Sequence, residues 1–184
     1  MLFLKKLNVN NIINTIKFNL ALNNNPMSYI NRQPKDFIKS LQLIHFGLLS
    51  TVLIFGIYIA LNAKDRLFFS YEEDKVFLYL AIIISFIGNL TSKFLYAKLI
   101  KQIPKDAELA QKAIKYSTAH IFRMAMLEFP AFMCVFFVWQ SNNSFYFILV
   151  GILVLMMLAI YPSKTKFEND VPLSSKEKSM LEKL

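Results

Sequence analysis

The chain reads as an all-α integral membrane protein, a bundle of four transmembrane helices with both termini on the cytoplasmic side. Three observations predict this fold class. Apolar residues make up 55% of the 184 positions, with 18 phenylalanines and a mean hydropathy of +0.42, a composition suited to a chain solvated mostly by lipid. The apolar residues fall in blocks of about 20, the length at which a helix crosses the hydrocarbon layer, and the blocks lack the alternation of barrel strands. The cations flank these blocks. In a four-span layout, eighteen of the 21 Lys and Arg fall on one side: six up to Lys39, seven from Lys93 to Arg123 and five in the tail. Only Lys64, Arg66 and Lys75 fall on the other. The positive-inside rule makes the first side cytoplasmic, and an odd number of spans would break the balance. The net charge of +9 therefore reports membrane topology, and no nucleic-acid partner is expected, because the cations form no separate basic domain.

Residues 1–36 are an asparagine-rich arm without the long apolar core and small-residue cleavage site of a signal peptide. Disorder is expected there. Ile12, Ile13, Ile16 and Leu20 would share a face of an interfacial helix, but the asparagines oppose one. The stretch MSYINRQPKDF leads straight into the first apolar block, so Met27 is an alternative start. The bundle domain then covers 37–163. Its first span, 37–61, carries Gln42 and His45 near its cytoplasmic end, with Gly47 and Gly56 permitting close helix contact. The segment AKDRLFFSYEEDK mixes charges with Phe68, Phe69 and Tyr71 and reads as a short outer loop in the headgroup layer.

The second span, 76–100, holds Asn89 as its one strongly polar interior residue, an amide expected to bond between helices and contribute about 1 kcal/mol. Pro104, Lys105 and Asp106 mark a turn, and the third helix should start near Lys105 with its span at 113–139. Pro130 cannot donate to the helical ladder, so it should kink this helix and free a carbonyl one turn earlier. The short connection QSNNS makes the third and fourth spans antiparallel neighbours. The fourth span, 145–161, has no charge and is expected to have the most lipid contact. In the cytoplasmic tail, 164–184, Ser174 and Glu177 have capping-box spacing. They predict a short amphipathic helix from Ser175 that rests Met180, Leu181 and Leu184 on the membrane or a partner.

The candidate site centres on Glu128, a carboxylate near the middle of the third span. Ionised in hydrocarbon it costs several kcal/mol, so it must be neutral, paired or turned to a wet interior. Arg123 lies five residues away, an imperfect helical spacing, so that pair should close through another helix or water. Asn89, His120 and His45 complete the polar set, and Pro130 supplies the kink. His45 and His120 should lie at similar depth near the cytoplasmic face. They lack a third ligand and read as two unrelated polar anchors, so no metal and no cofactor are expected. Cys134 is the only cysteine, which excludes an intrachain disulfide. No phosphate loop, HExxH, serine elbow or paired-cysteine metal site is present, so no catalysis is expected.

Arg123-Met124-Ala125, Leu127-Glu128-Phe129-Pro130-Ala131, Tyr161-Pro162-Ser163-Lys164, Phe167-Glu168-Asn169-Asp170 and Leu173-Ser174 together resemble a group of small four-span bacterial membrane proteins with no assigned activity. The resemblance covers the second half of the chain and implies a multi-pass protein of the bacterial cytoplasmic membrane. Phe129 departs from the small residue that follows the acid in that group. The expected function is that of a non-catalytic accessory or assembly component of a membrane complex, in contact with lipid and with a protein partner or further copies of itself. The alternative is a small proton- or ion-coupled transporter or channel subunit centred on Glu128.

Overall fold

The computed structural model describes residues 34–63 and 66–182, and the expected arm over 1–33, together with Leu184, lies outside them. The described residues are helical: α1 (Pro34–Ala63), α2 (Lys75–Lys101), α3 (Leu109–Ser141), α4 (Tyr146–Ala159), α5 (Lys164–Asp170) and α6 (Ser175–Glu182). Pro34 stands at the first position of α1, where a missing N–H costs nothing. Lys98 and Lys101 occupy the last turn of α2, where cations complement the helix dipole. Asn142, with φ 57°, closes α3 in the left-handed region and donates its N–H to the Val138 carbonyl.

Three helices, α1, α2 and α3, are long and apolar enough to cross a membrane. The fourth expected span is shorter than its sequence suggests. At 14 residues, α4 is about 21 Å long, against a hydrocarbon layer of about 30 Å. It then bends by 78° into α5, so a fourth crossing exists only if the bent pair counts as one span. Pro162 and Ser163 make the break. The proline ends the first helix, and the Ser163 hydroxyl starts the next by accepting from the Lys166 N–H. The third helix also begins later than Lys105, because Ile103 turns inward to a buried position and 104–108 form a turn around it.

The hub is α3, against which α1, α2 and α4 all pack. A stripe at Tyr146, Val150, Leu153 and Met157 buries one face of α4, whereas α2 buries only Ala81 and Ser92. So α2 is less buried than α4, the reverse of the exposure expected from the sequence. A helix that is apolar all round does not reveal in its sequence which face is packed. At one end of the bundle, the segment after α1 and the connection between α3 and α4 are clasped to each other. Phe68 donates its N–H to the Asn142 carbonyl at 3.1 Å and accepts from Ser144 at 2.8 Å, while the Asn143 side chain donates to the Ser70 carbonyl at 2.7 Å.

At the opposite end the tail folds back onto the chain. Phe167 is fully buried, with its ring 5.1 Å from Tyr116 and 4.8 Å from Phe37. It joins Leu41, Ile103, Ala113, Val171 and Leu181 in a second core. Leu181 is therefore part of the chain's own interior and does not rest on a membrane or partner, while Met180 stays exposed. The capping box forms as its spacing predicts: Ser174 donates its N–H to Glu177 Oε2 at 2.6 Å, and Glu177 returns its N–H to Ser174 Oγ at 3.3 Å. Glu177 also accepts two bonds of 2.9 Å from Lys112, whose side chain is 1% exposed. Burial pushes the Glu177 carboxyl up, but the Ser174 N–H, the Lys112 ammonium and the Ser174 hydroxyl outweigh it and hold the group below the ordinary carboxylate range.

Candidate functional site: polar contacts along the hub helix

The polar residues of α3 do not gather in one place. They are distributed around the helix, and each addresses a different neighbour. Pro130 has no N–H, so the Met126 carbonyl four residues earlier has no donor within its own helix. That carbonyl faces Gly88 of α2. A Cβ on Gly88 would stand 2.7 Å from Met126 O and 2.8 Å from Pro130 Cγ, so only glycine lets the two helices meet at this level. The Gly88 backbone thus lies against the carbonyl that the proline releases. A C–H···O contact of this type contributes about 0.5–1 kcal/mol.

Gly88 belongs to a stripe of small residues, Ala81, Ser85, Gly88 and Ser92, spaced four, three and four apart. Ser92 donates to the Arg123 carbonyl at 3.0 Å, and Ser85 Oγ lies 3.7 Å from Cys134 Sγ. Small residues at helical spacing let membrane helices approach closely. The four-three-four spacing of these residues is visible in the sequence, whereas the glycines of the first span lack it. Neither of those makes a close approach: Gly47 has nothing within 4 Å, and Gly56 is in ordinary contact at 3.8 Å. The stripe also explains Asn89, which occupies the position just beside it. It is half-buried, and among the described residues its side chain makes no hydrogen bond, contrary to the interhelical role expected of it.

Glu128 is half-buried on the flank of α3 that faces α1. Thr51 donates to Glu128 Oε1 at 2.8 Å, and the same hydroxyl lies 2.7 Å from the Leu48 carbonyl, so one hydrogen is shared between two acceptors. No other side chain among the described residues bonds to this carboxyl group, and no cation forms an ion pair with it. Beside it, Phe129 is 61% exposed and belongs to an open face of α3 with Phe122 and Phe136, at intervals of seven residues. Arg123 does not reach Glu128. Five residues turn a helix by about 140°, and the guanidinium lies instead over the Tyr96 ring of α2, 4.5 Å from its centroid. Its Nε is buried and has no partner among the described residues.

The expected match in depth between His45 and His120 becomes direct contact. His45 Nδ1 and His120 Nε2 are 3.1 Å apart, with the residues 0% and 2% exposed. One ring donates and the other accepts, according to tautomer. Tyr161 meets the His45 ring edge-on at 5.4 Å, and Gln42 of α1 donates to the Pro162 carbonyl at 3.0 Å, tying the pair to the bend after α4. The pair offers two nitrogens, and among the described residues no set of three His, Cys, Asp or Glu side chains is placed to hold a metal ion. At the end of the bundle that carries the α3–α4 connection, a pocket of about 220 Å³ is lined by Tyr58, Asn62, Arg66, Trp139 and Asn142, far along α3 from Glu128.

Comparison of the chain with protein-family models, with known proteins and with solved structures finds no match.

Proposed function

We propose that this chain is a multi-pass protein of the bacterial cytoplasmic membrane, with both termini inside and four crossings when the bent α4–α5 pair is counted as one. It acts without catalysis as an accessory or assembly component of a membrane complex. A single observation carries this reading: Glu128, near the middle of α3, has among the described residues only a shared Thr51 hydroxyl as its partner and borders the open face of Phe122, Phe129 and Phe136. A carboxyl group in such a place favours a neighbouring protein that completes its hydrogen bonding, because lipid chains cannot. The charge distribution supports the orientation, with eighteen of 21 cations on the proposed inner side.

Ion-coupled transport centred on Glu128 is the second reading. One observation favours it: Thr51–Glu128 and His45–His120 are two polar contacts along the same α1–α3 pair. Glu128→Gln separates the two readings when abundance, cross-linked partner and proton flux in vesicles are followed together. Assembly predicts loss of the cross-linked species, with flux that never exceeds that of protein-free vesicles. Flux in the native chain that disappears in E128Q at unchanged abundance would defeat it.

A further inference from the structure

The guanidinium of Arg123 is positioned but unused. It carries five N–H donors in a rigid fork, yet among the described residues none of them meets a protein acceptor, and Nε is buried. Three contacts fix it in place. Its plane lies over Tyr96 at 4.5 Å, its backbone carbonyl accepts from Ser92 at 3.0 Å, and the Tyr96 hydroxyl is itself held by Asp170 Oδ2 at 2.5 Å. The neighbouring carboxylate is thus engaged with the tyrosine and does not pair with the arginine. A second cation comes from α5. Lys166 donates to the Ala159 and Tyr161 carbonyls at 2.8 and 3.1 Å, which leaves one ammonium N–H without a partner among the described residues. Lys166 stands one turn before Asp170 on α5, and Asp170 holds the tyrosine whose ring carries Arg123.

A buried donor without an acceptor is destabilising. An oxyanion with several acceptor oxygens relieves this, and the planar fork matches phosphate in a bidentate way. We propose that Arg123 and Lys166 form a binding site for a phosphate group at the inner end of the bundle, supplied either by a lipid headgroup or by a soluble phosphate. The site does not depend on whether Glu128 meets a partner. Its depth suits a headgroup: Arg123 is five residues from Glu128, about 7.5 Å along the helix, and its side chain extends further toward the interface.

The test uses the full chain in a maltoside detergent, which contains no phosphate. Phosphatidylglycerol or inorganic phosphate is added, and bound mass and thermal unfolding are read together. The expected result is one ligand per chain and a raised unfolding temperature, with affinity about tenfold or more weaker in Arg123→Gln. Lys166→Gln should weaken it less. Lys98→Gln, an exposed cation at the same end of α2, should leave it unchanged. Should R123Q fail to fold, Arg123→Lys keeps the charge without the fork and must also bind more weakly. Binding of phosphatidylglycerol alone assigns the site to lipid, and binding of both ligands with the same dependence on Arg123 assigns it to phosphate in general. The proposal fails if neither ligand binds, if R123Q or R123K binds as tightly as the native chain, or if K98Q weakens binding as much as R123Q.

Discussion

Gly88→Ala places a methyl group 2.7 Å from a carbonyl oxygen and 2.8 Å from a proline ring carbon. Neither neighbour can yield alone, since one is backbone and the other is fused to it. Ordinary contact begins near 3.4 Å, so α2 must retreat by about 0.7 Å at this crossing, which also loosens the contacts of Ser85 and Ser92. Overpacking of this kind costs about 1–3 kcal/mol. Alanine also gains about 1 kcal/mol over glycine in helix propensity, and this gain must be removed before the clash can be read. Gly47 and Gly151 provide the correction, because a Cβ at either would meet nothing within 4 Å.

Measured by the fluorescence of the single tryptophan, Trp139, during unfolding in mixed micelles of rising dodecyl sulfate content, G88A should be less stable than G151A or G47A by about 1–3 kcal/mol. The two controls should equal or exceed the native chain. A G88A protein within about 0.5 kcal/mol of both controls would refute the close crossing. Pro130→Ala restores an N–H for the Met126 carbonyl and removes the ring carbon. Combined with G88A it should therefore recover about 1 kcal/mol relative to the sum of the single changes.

Glu177→Gln leaves the Lys112 ammonium buried without its counter-charge and should cost about 3 kcal/mol, read as faster tryptic cleavage at Lys176 and Lys178; Lys112→Met in the same chain should restore protection. Because the folded Glu177 carboxyl is held below its ordinary range, its contribution is complete above the unfolded value of about 4.3 and is lost as pH falls through the folded value. Acid release of the tail should show this step in the native chain and lack it in E177Q. His45→Leu or His120→Leu alone leaves the other buried ring without its partner and should cost about 1–3 kcal/mol, while the double change should lie closer to the native chain in thermal unfolding; equal additive losses would show that the two rings do not depend on each other.

What could be read from the sequence was whatever depends on position along the chain. The extents of α1, α2 and α3 follow from block length and flanking charge. The α6 cap follows from two residues three apart, and the similar level of His45 and His120 follows from their places in the apolar blocks, although their contact does not. What could not be read depends on rotation about a helix axis. Nothing in the composition of α4 distinguishes its buried face, and the five-residue gap from Arg123 to Glu128 says that they diverge without saying toward which neighbour. The return of the tail was hidden for another reason. Phe167 and Lys112 are 55 positions apart, and their shared role in fixing the tail over the second core depends on long-range contact that local patterns do not carry.

The arrangement around α3 also bears on what an intramembrane acid is for in this chain. His120 turns to α1, Arg123 and the carbonyl freed by Pro130 turn to α2, and each meets a group supplied by the facing helix. Polar side chains on this helix therefore join one helix to another, a use that stabilises pairing in lipid by about 0.6–2 kcal/mol per contact. Glu128 follows the same pattern toward Thr51, but a carboxyl group has about four acceptor sites and here receives a share of one hydrogen. On the proposed assembly reading, one more helix would meet the remaining demand, lying on the adjacent exposed face of Phe122, Phe129 and Phe136. A transport role would instead require water at Glu128, so solvent exchange at this residue in the assembled membrane decides between the two.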